Sequence, residues 1–100
     1  MAAQAGVYAQ YGVTYTALDT TWIAGTNRFV TVGQHVRGAG VLAMYKLLDA
    51  NIDLVQEAEP PKPTRCVARQ QGATVAVGSF GGALQLWYAL GMGAGYRNED

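Results

Sequence analysis

The stretch Thr74–Trp87, TVAVGSFGGALQLW, decides how this chain is read. It divides into two short apolar runs around Gly78-Ser79-Phe80-Gly81-Gly82. Val75 and Val77 alternate with smaller residues before the turn, and Leu84, Leu86 and Trp87 follow it. A period of two is the period of a strand. Leu84 and Leu86 therefore belong on one face of a sheet, and Gln85 and Trp87 on the other. Gly81 and Gly82 can both take φ > 0, which a tight hairpin demands.

A related unit lies upstream. Val30-Thr31-Val32-Gly33 matches Val75-Ala76-Val77-Gly78 at an offset of 45 residues, and Gly40–Tyr45 matches Gly82–Trp87 at an offset of 42. The difference predicts a turn three residues longer in the first copy. A repeat of roughly 40–45 residues ending on Trp is that of a four-stranded propeller blade. The expected fold is all-β: a partial, unclosed WD-repeat β-propeller of about two blades. Trp22, Gly33, Tyr45, Gly78, Gly81, Gly82 and Trp87 are its structural blade residues.

The rest of the chain arranges itself around these units. Residues 1–12 are Ala, Gly, Gln and Tyr without a period and read as an irregular arm. Residues 13–59 form the first blade, with strands near Ala17–Ile23, at Arg28–Gln34 and Gly40–Leu48, and an outer edge strand over Ile52–Ala58. The loop His35–Ala39 carries Arg37, and Asp49-Ala50-Asn51 is a turn. Three prolines exclude residues 60–63 from a central strand and make them the connector between blades. Residues 64–90 are a second, incomplete blade, in which Cys66 and Ala68 are expected to face inward and Gln70-Gln71-Gly72 to turn. Residues 91–100 leave the pattern as a glycine-rich tail without a further strand.

Composition limits the function. One hundred residues suit a single domain, and 50% hydrophobic content with 14% charge argues against disorder. A net charge of zero offers no basic footprint for nucleic acid. No apolar run of about 18 residues is present to cross a membrane, and the first residues lack the basic start and apolar core of a signal peptide. The single Cys66 excludes an internal disulfide and suits a reducing cytosol. Length sets one further expectation. Propellers close with about 4–8 blades, and stacked repeats need roughly three for stability, so two blades read as a piece of a longer protein.

Residues 14–87 resemble the N-terminal part of the Monad-like WD-repeat proteins, which are counted among the cytoplasmic assembly factors of axonemal dynein. The resemblance runs through Tyr15–Trp22, Arg28–Gly33, Arg37-Gly38-Ala39-Gly40-Val41, Pro63-Thr64-Arg65-Cys66 and Ala76–Trp87. A generic WD repeat would supply only the strand, turn and Trp; the Arg-Gly-x-Gly-Val and Phe-Gly-Gly turns are more particular. Two positions depart from the usual WD pattern. Gly81 stands where Asp is customary in the tight turn, and Tyr88 where Asp or Asn follows the Trp. The resemblance covers about three-quarters of the chain and the opening part of such a protein. It implies a non-enzymatic, cytoplasmic scaffold without cofactor. It also implies protein partners: a RuvB-like ATPase/prefoldin-like co-chaperone complex and axonemal dynein chains. A WD-repeat subunit of another complex, such as a ciliary or ubiquitin-ligase adaptor, or a truncated chain without function of its own, are the alternatives.

The residues offer little chemistry. His35 has no second ligand at metal spacing and reads as a loop histidine. Cys66 lacks a partner base and reads as a small buried residue. Asp19, Asp53, Glu57 and Glu59 sit on separate segments and read as solvated strand ends. Gly91-x-Gly-x-Gly lacks the following helix that a dinucleotide turn requires. Arg37, flanked by glycine in a turn, is the candidate partner contact, since Arg is enriched in binding hot spots.

Overall fold

The computed structural model describes residues 6–69, 74–88 and 97–99. The expected turn at Gln70–Gly72 and the glycine run 91–95 lie outside the described residues. Among the described residues, eight strands form in two antiparallel sheets. The first sheet is β1 (Thr16–Trp22), β2 (Arg28–Gln34), β3 (Gly40–Leu48) and β4 (Asn51–Ala58), in that order. The second is β5 (Thr64–Arg69), β6 (Thr74–Ser79), β7 (Leu84–Tyr88) and β8 (Arg97–Glu99). Each is an up-and-down meander, and the two stack face to face as adjacent blades of a partial β-propeller.

Sequence composition sets which strands lie inside. β2 and β3 are apolar on both faces, and Val30 to Gly33 and Gly40 to Tyr45 are buried throughout. β4 mixes charge with aliphatic residues and forms an outer edge. Its imperfect alternation has a cause: Tyr45 pairs with Leu54 and Met44 with Gln56, so Val55 is a bulge. The bulge sends Ile52 to the outer face of the sheet and Val55 to the inner one, where each packs on a different cluster.

The core lies between the sheets. Val30, Val32, Leu42 and Met44 of the first meet Val67, Val75, Val77 and Trp87 of the second. Each such side chain contributes about 1.5–3 kcal/mol on full burial. The expected faces of β7 hold: Trp87 is buried in this core, while Leu84 is 82% exposed on the opposite face.

Four details differ from the sequence reading. The first copy does not have a longer turn. His35 N–H donates to the Ala39 carbonyl and Gly38 N–H to the His35 carbonyl, and Ser79–Ala83 and Gly82–Ser79 repeat both bonds. Gly38 and Gly82 hold the same left-handed position at φ 93° and 90°. The two hairpins are therefore equivalent at an offset of 44 residues. The offset of 45 matched valines that face each other across the core rather than the same way, and a one-residue slip always exchanges faces.

Second, Cys66 and Ala68 are exposed, and Val67 points inward. Thr64 pairs with Ser79 but Cys66 with Gly78, so Arg65 is a bulge that reverses the alternation after Thr64. Third, a short strand does follow Trp87: Arg97, Asn98 and Glu99 pair with Tyr88, Trp87 and Leu86. Its polar composition hid it, because ladder pairing uses backbone groups and needs no apolar side chain. Fourth, the turn before β4 is Asp49-Ala50, both at positive φ (50° and 67°), and Asn51 already belongs to the strand.

The blades are pinned together at Thr64, which is fully buried. Its hydroxyl lies over the Gly33–Val41 pair of the first sheet. It is 2.6 Å from the Val41 carbonyl and 2.9 Å from the Gly33 carbonyl, and it accepts from Gly33 N–H at 3.0 Å. Its one proton serves one carbonyl at a time, and the shorter contact is to Val41. The approach is open because the Val41 side chain points to the outer face. A second tie leads into it: Gly40 N–H donates to the Pro60 carbonyl at 2.8 Å, and a Cβ on Gly40 would run into the Lys62 carbonyl. We expect Thr64→Val to lower stability by about 1–3 kcal/mol, the cost of a buried unmet hydrogen bond, and Thr64→Ser to retain most of it. Urea midpoints of the two variants check this.

Candidate functional site

One end of the blade stack collects the connector and both tight turns. The connector Pro60–Pro63 is pinned to the first hairpin through Gly40 and to the second through Phe80, whose N–H donates to the Pro63 carbonyl at 3.0 Å. Val36 and Arg37 therefore project from the first turn, and Phe80 and Gly81 from the second, with Lys62 between them. Val36 is 93% exposed and Arg37 and Lys62 are exposed. A Cβ on Gly81 would lie 3.8 Å from Cδ of Lys62, so that side chain runs along the second turn. Arg65 completes the rim: its bulge position turns the side chain outward, and its guanidinium sits 5.2 Å above the centre of the Phe80 ring.

Arg37 thus lies in the turn expected from the sequence, though that turn is no longer than its twin. Among the described residues it makes no hydrogen bond or ion pair. His35, at the base of the same turn, has a partner the sequence reading missed: Nε2 lies 3.0 Å from a carboxylate oxygen of Glu59. The two residues are 24 positions apart, and the connector's path brings them together. Asp19 is also more than a solvated strand end. Oδ2 accepts Val67 N–H at 3.0 Å and Oδ1 accepts Thr20 N–H at 2.9 Å, so one carboxylate bridges the two sheets.

The remaining sequence-selected residues lie elsewhere. Gly33 and Gly78 are in the central strands, Gly78 where a Cβ would press on the Cys66 sulfur. Trp87 is in the core, and its Nε1–H donates to Gln85 at 3.1 Å. Trp22 is half exposed, its ring edge on Phe29. Tyr45 is buried on the outer face of the first sheet, stacked on Phe29 and facing Tyr11 of the arm at 5.4 Å. With Tyr15 it lines a groove of about 300 Å³ under residues 9–13.

Tyr15 and Tyr45 share a hydrogen bond of 2.5 Å between hydroxyls. Burial pushes both phenols above the ordinary tyrosine value. The shared bond adds to the rise at Tyr15 and opposes it at Tyr45. No group of three His, Cys, Asp or Glu residues able to hold a metal ion occurs among the described residues, and they include no helix long and apolar enough to cross a membrane.

A blade pair whose hairpin tips form one rim defines a partial β-propeller. Comparison with known proteins sharpens this. No family model matches the sequence. Dynein axonemal assembly factor 10 of Xenopus tropicalis is 42% identical over 84 residues, which is 80% of this chain and 24% of that protein. The protein of the same name from Homo sapiens is 34% identical over the same length. The one from Chlamydomonas reinhardtii is 34% identical over 79 residues, 75% of this chain and 22% of its own. The chain is similar in sequence to these dynein axonemal assembly factor 10 proteins, and it spans about a quarter of the length of the curated relatives it matches.

The buried phenols make stability depend on pH. Their folded values lie above the unfolded value of about 10, so the folded state holds protons that the unfolded state releases. Their contribution is complete below about pH 10 and falls as pH rises beyond it. Urea midpoints should therefore be flat from neutral pH to about 9 and drop steeply toward 11. Tyr15→Phe should make that drop shallower.

Proposed function

We propose that the chain serves in a non-enzymatic WD-repeat scaffold for the cytoplasmic preassembly of axonemal dynein. Its partners in this reading are a RuvB-like ATPase/prefoldin-like co-chaperone complex and axonemal dynein chains. The observation that carries the reading is the identity to proteins named as dynein axonemal assembly factors, over an alignment long enough to enter both blades. The architecture is consistent with it. Stacked sheets hold the turns in fixed relation, so a partner meets a surface that loses little freedom on binding. The rim residues need no bound cofactor and no nucleophile–base pair to act in this way. Fold by itself would not select this role, since propellers carry many functions.

Affinity-tagged protein expressed in ciliated cells tests it. Recovery of RuvB-like ATPases together with axonemal dynein heavy chains is the expected result. Recovery of ubiquitin-ligase subunits, or of ciliary components without dynein chains, would overturn it in favour of an adaptor in another complex.

A further inference from the structure

We infer that the hairpin rim is a docking surface for an acidic peptide segment of a partner protein, one that carries an apolar side chain among its carboxylates. The inference deepens the scaffold reading and rests on it only for the partner being a protein; the chemistry comes from the rim.

Charge is the first argument. The chain is neutral as a whole, with seven cationic and seven acidic residues. The fold sets part of each group apart, although Lys46 lies opposite Asp53 on β3 and β4. Asp49, Asp53 and Glu57 fall on the β3–β4 turn and the outer strand, and Asp19 is occupied by backbone N–H groups. Arg37, Lys62 and Arg65 come from three separate segments and meet at the rim, because Gly40 and Phe80 tie the connector to both turns. None of the three forms an ion pair among the described residues. Glu59, the acid beside them, is already held by His35. A rim that gathers three cations, none in an ion pair among the described residues, offers a site for carboxylates, and complementary charge sets both the choice of partner and the rate of encounter.

The second argument is the apolar component. Val36 at 93% exposure and Phe80 at 39% flank the cations. Arg65 is already seated on the Phe80 ring, which fixes its planar fork in place. A fixed guanidinium beside an exposed ring suits a segment that presents a carboxylate and an apolar side chain together. It suits nucleic acid less well. Affinity for a phosphate backbone grows with the number of cations, and this chain has no basic stripe. Another blade is not the occupant either, because blades stack through sheet faces and the rim lies at strand ends.

The test uses the whole chain and a fluorescent synthetic peptide of about a dozen residues, rich in Asp and Glu around a central Phe, read by anisotropy. We expect saturable binding that weakens by about tenfold or more when the carboxylates become amides, and that weakens with added salt. Arg37→Glu combined with Lys62→Glu should reduce affinity by at least about tenfold, and Val36→Ser by a smaller factor. These positions are exposed, and a circular dichroism spectrum and urea midpoint like those of the parent chain show that the variants fold. Lys46→Gln, on the far end of β3, should leave affinity unchanged.

Equal binding of the acidic and amide peptides, indifference to the double charge reversal, or no binding at all would overturn the inference. So would an oligothymidylate of similar length binding as tightly as the peptide. The outcome is separable from that of the scaffold reading. Peptide binding without recovery of dynein chains sinks the dynein role and leaves the rim. Dynein recovery undiminished by the double reversal sinks the rim and leaves the role.

Discussion

The structure depends on one hydroxyl placed over a strand pair that has nothing else on that side. Thr64 opens the second sheet, and its Oγ1 reaches backbone atoms of Gly33 and Val41 in the centre of the first. The site is open because the Gly33–Val41 pair turns its side-chain positions to the outer face, where Val41 packs and where a Cβ on Gly33 would strike the Thr16 carbonyl. A fully buried hydroxyl elsewhere would be a liability; here it is satisfied and sets the spacing of the blades. Val67, three residues on, is then aimed into the core between them, and its N–H is taken by Asp19 of the first sheet. Two polar ties thus fix the register of a contact that hydrophobic burial drives but does not orient.

The same ties build the rim. Because β5 must begin at Thr64, the connector has to cross the end of the first hairpin within a few residues. Gly40 permits that crossing by giving up a side chain where the Lys62 carbonyl passes. Lys62, Arg65, both turn tips and the His35–Glu59 pair are brought to one end as a consequence. The rim and the contact that joins the blades therefore share a cause, and the cations there are placed by backbone hydrogen bonds rather than by ion pairs.

Much of this was legible in the residues. The strands β2 and β3, the faces of β7, the two left-handed glycines of the second turn and the exclusion of residues 60–63 from a strand all follow from period, propensity and the limits of proline. The likeness to the dynein axonemal assembly factors was legible too, through its turn signatures. The bulge at Arg65 was not, because nothing in Thr-Arg-Cys-Val-Ala marks where a ladder will skip a residue; the skip is forced by Thr64 and Val67 both finding partners in the first sheet. The equal length of the two turns was obscured for a related reason. Apolar residues on β2 and β6 look alike in sequence, yet they occupy opposite faces of their blades and meet across one core.

By itself the sequence determined that this chain is β-structured, that it repeats, where its central strands run and to which proteins it is related. Alternation, glycine at positive φ and proline without an N–H are local constraints, and a chain carries them in its order of residues. Only the tertiary structure decided which face of each strand is buried after a bulge, that Thr64 joins the blades, that Glu59 meets His35 and that Arg37, Lys62 and Arg65 share a rim. Those relations join residues far apart in the chain, and they are set by how two sheets stack, which no local pattern encodes.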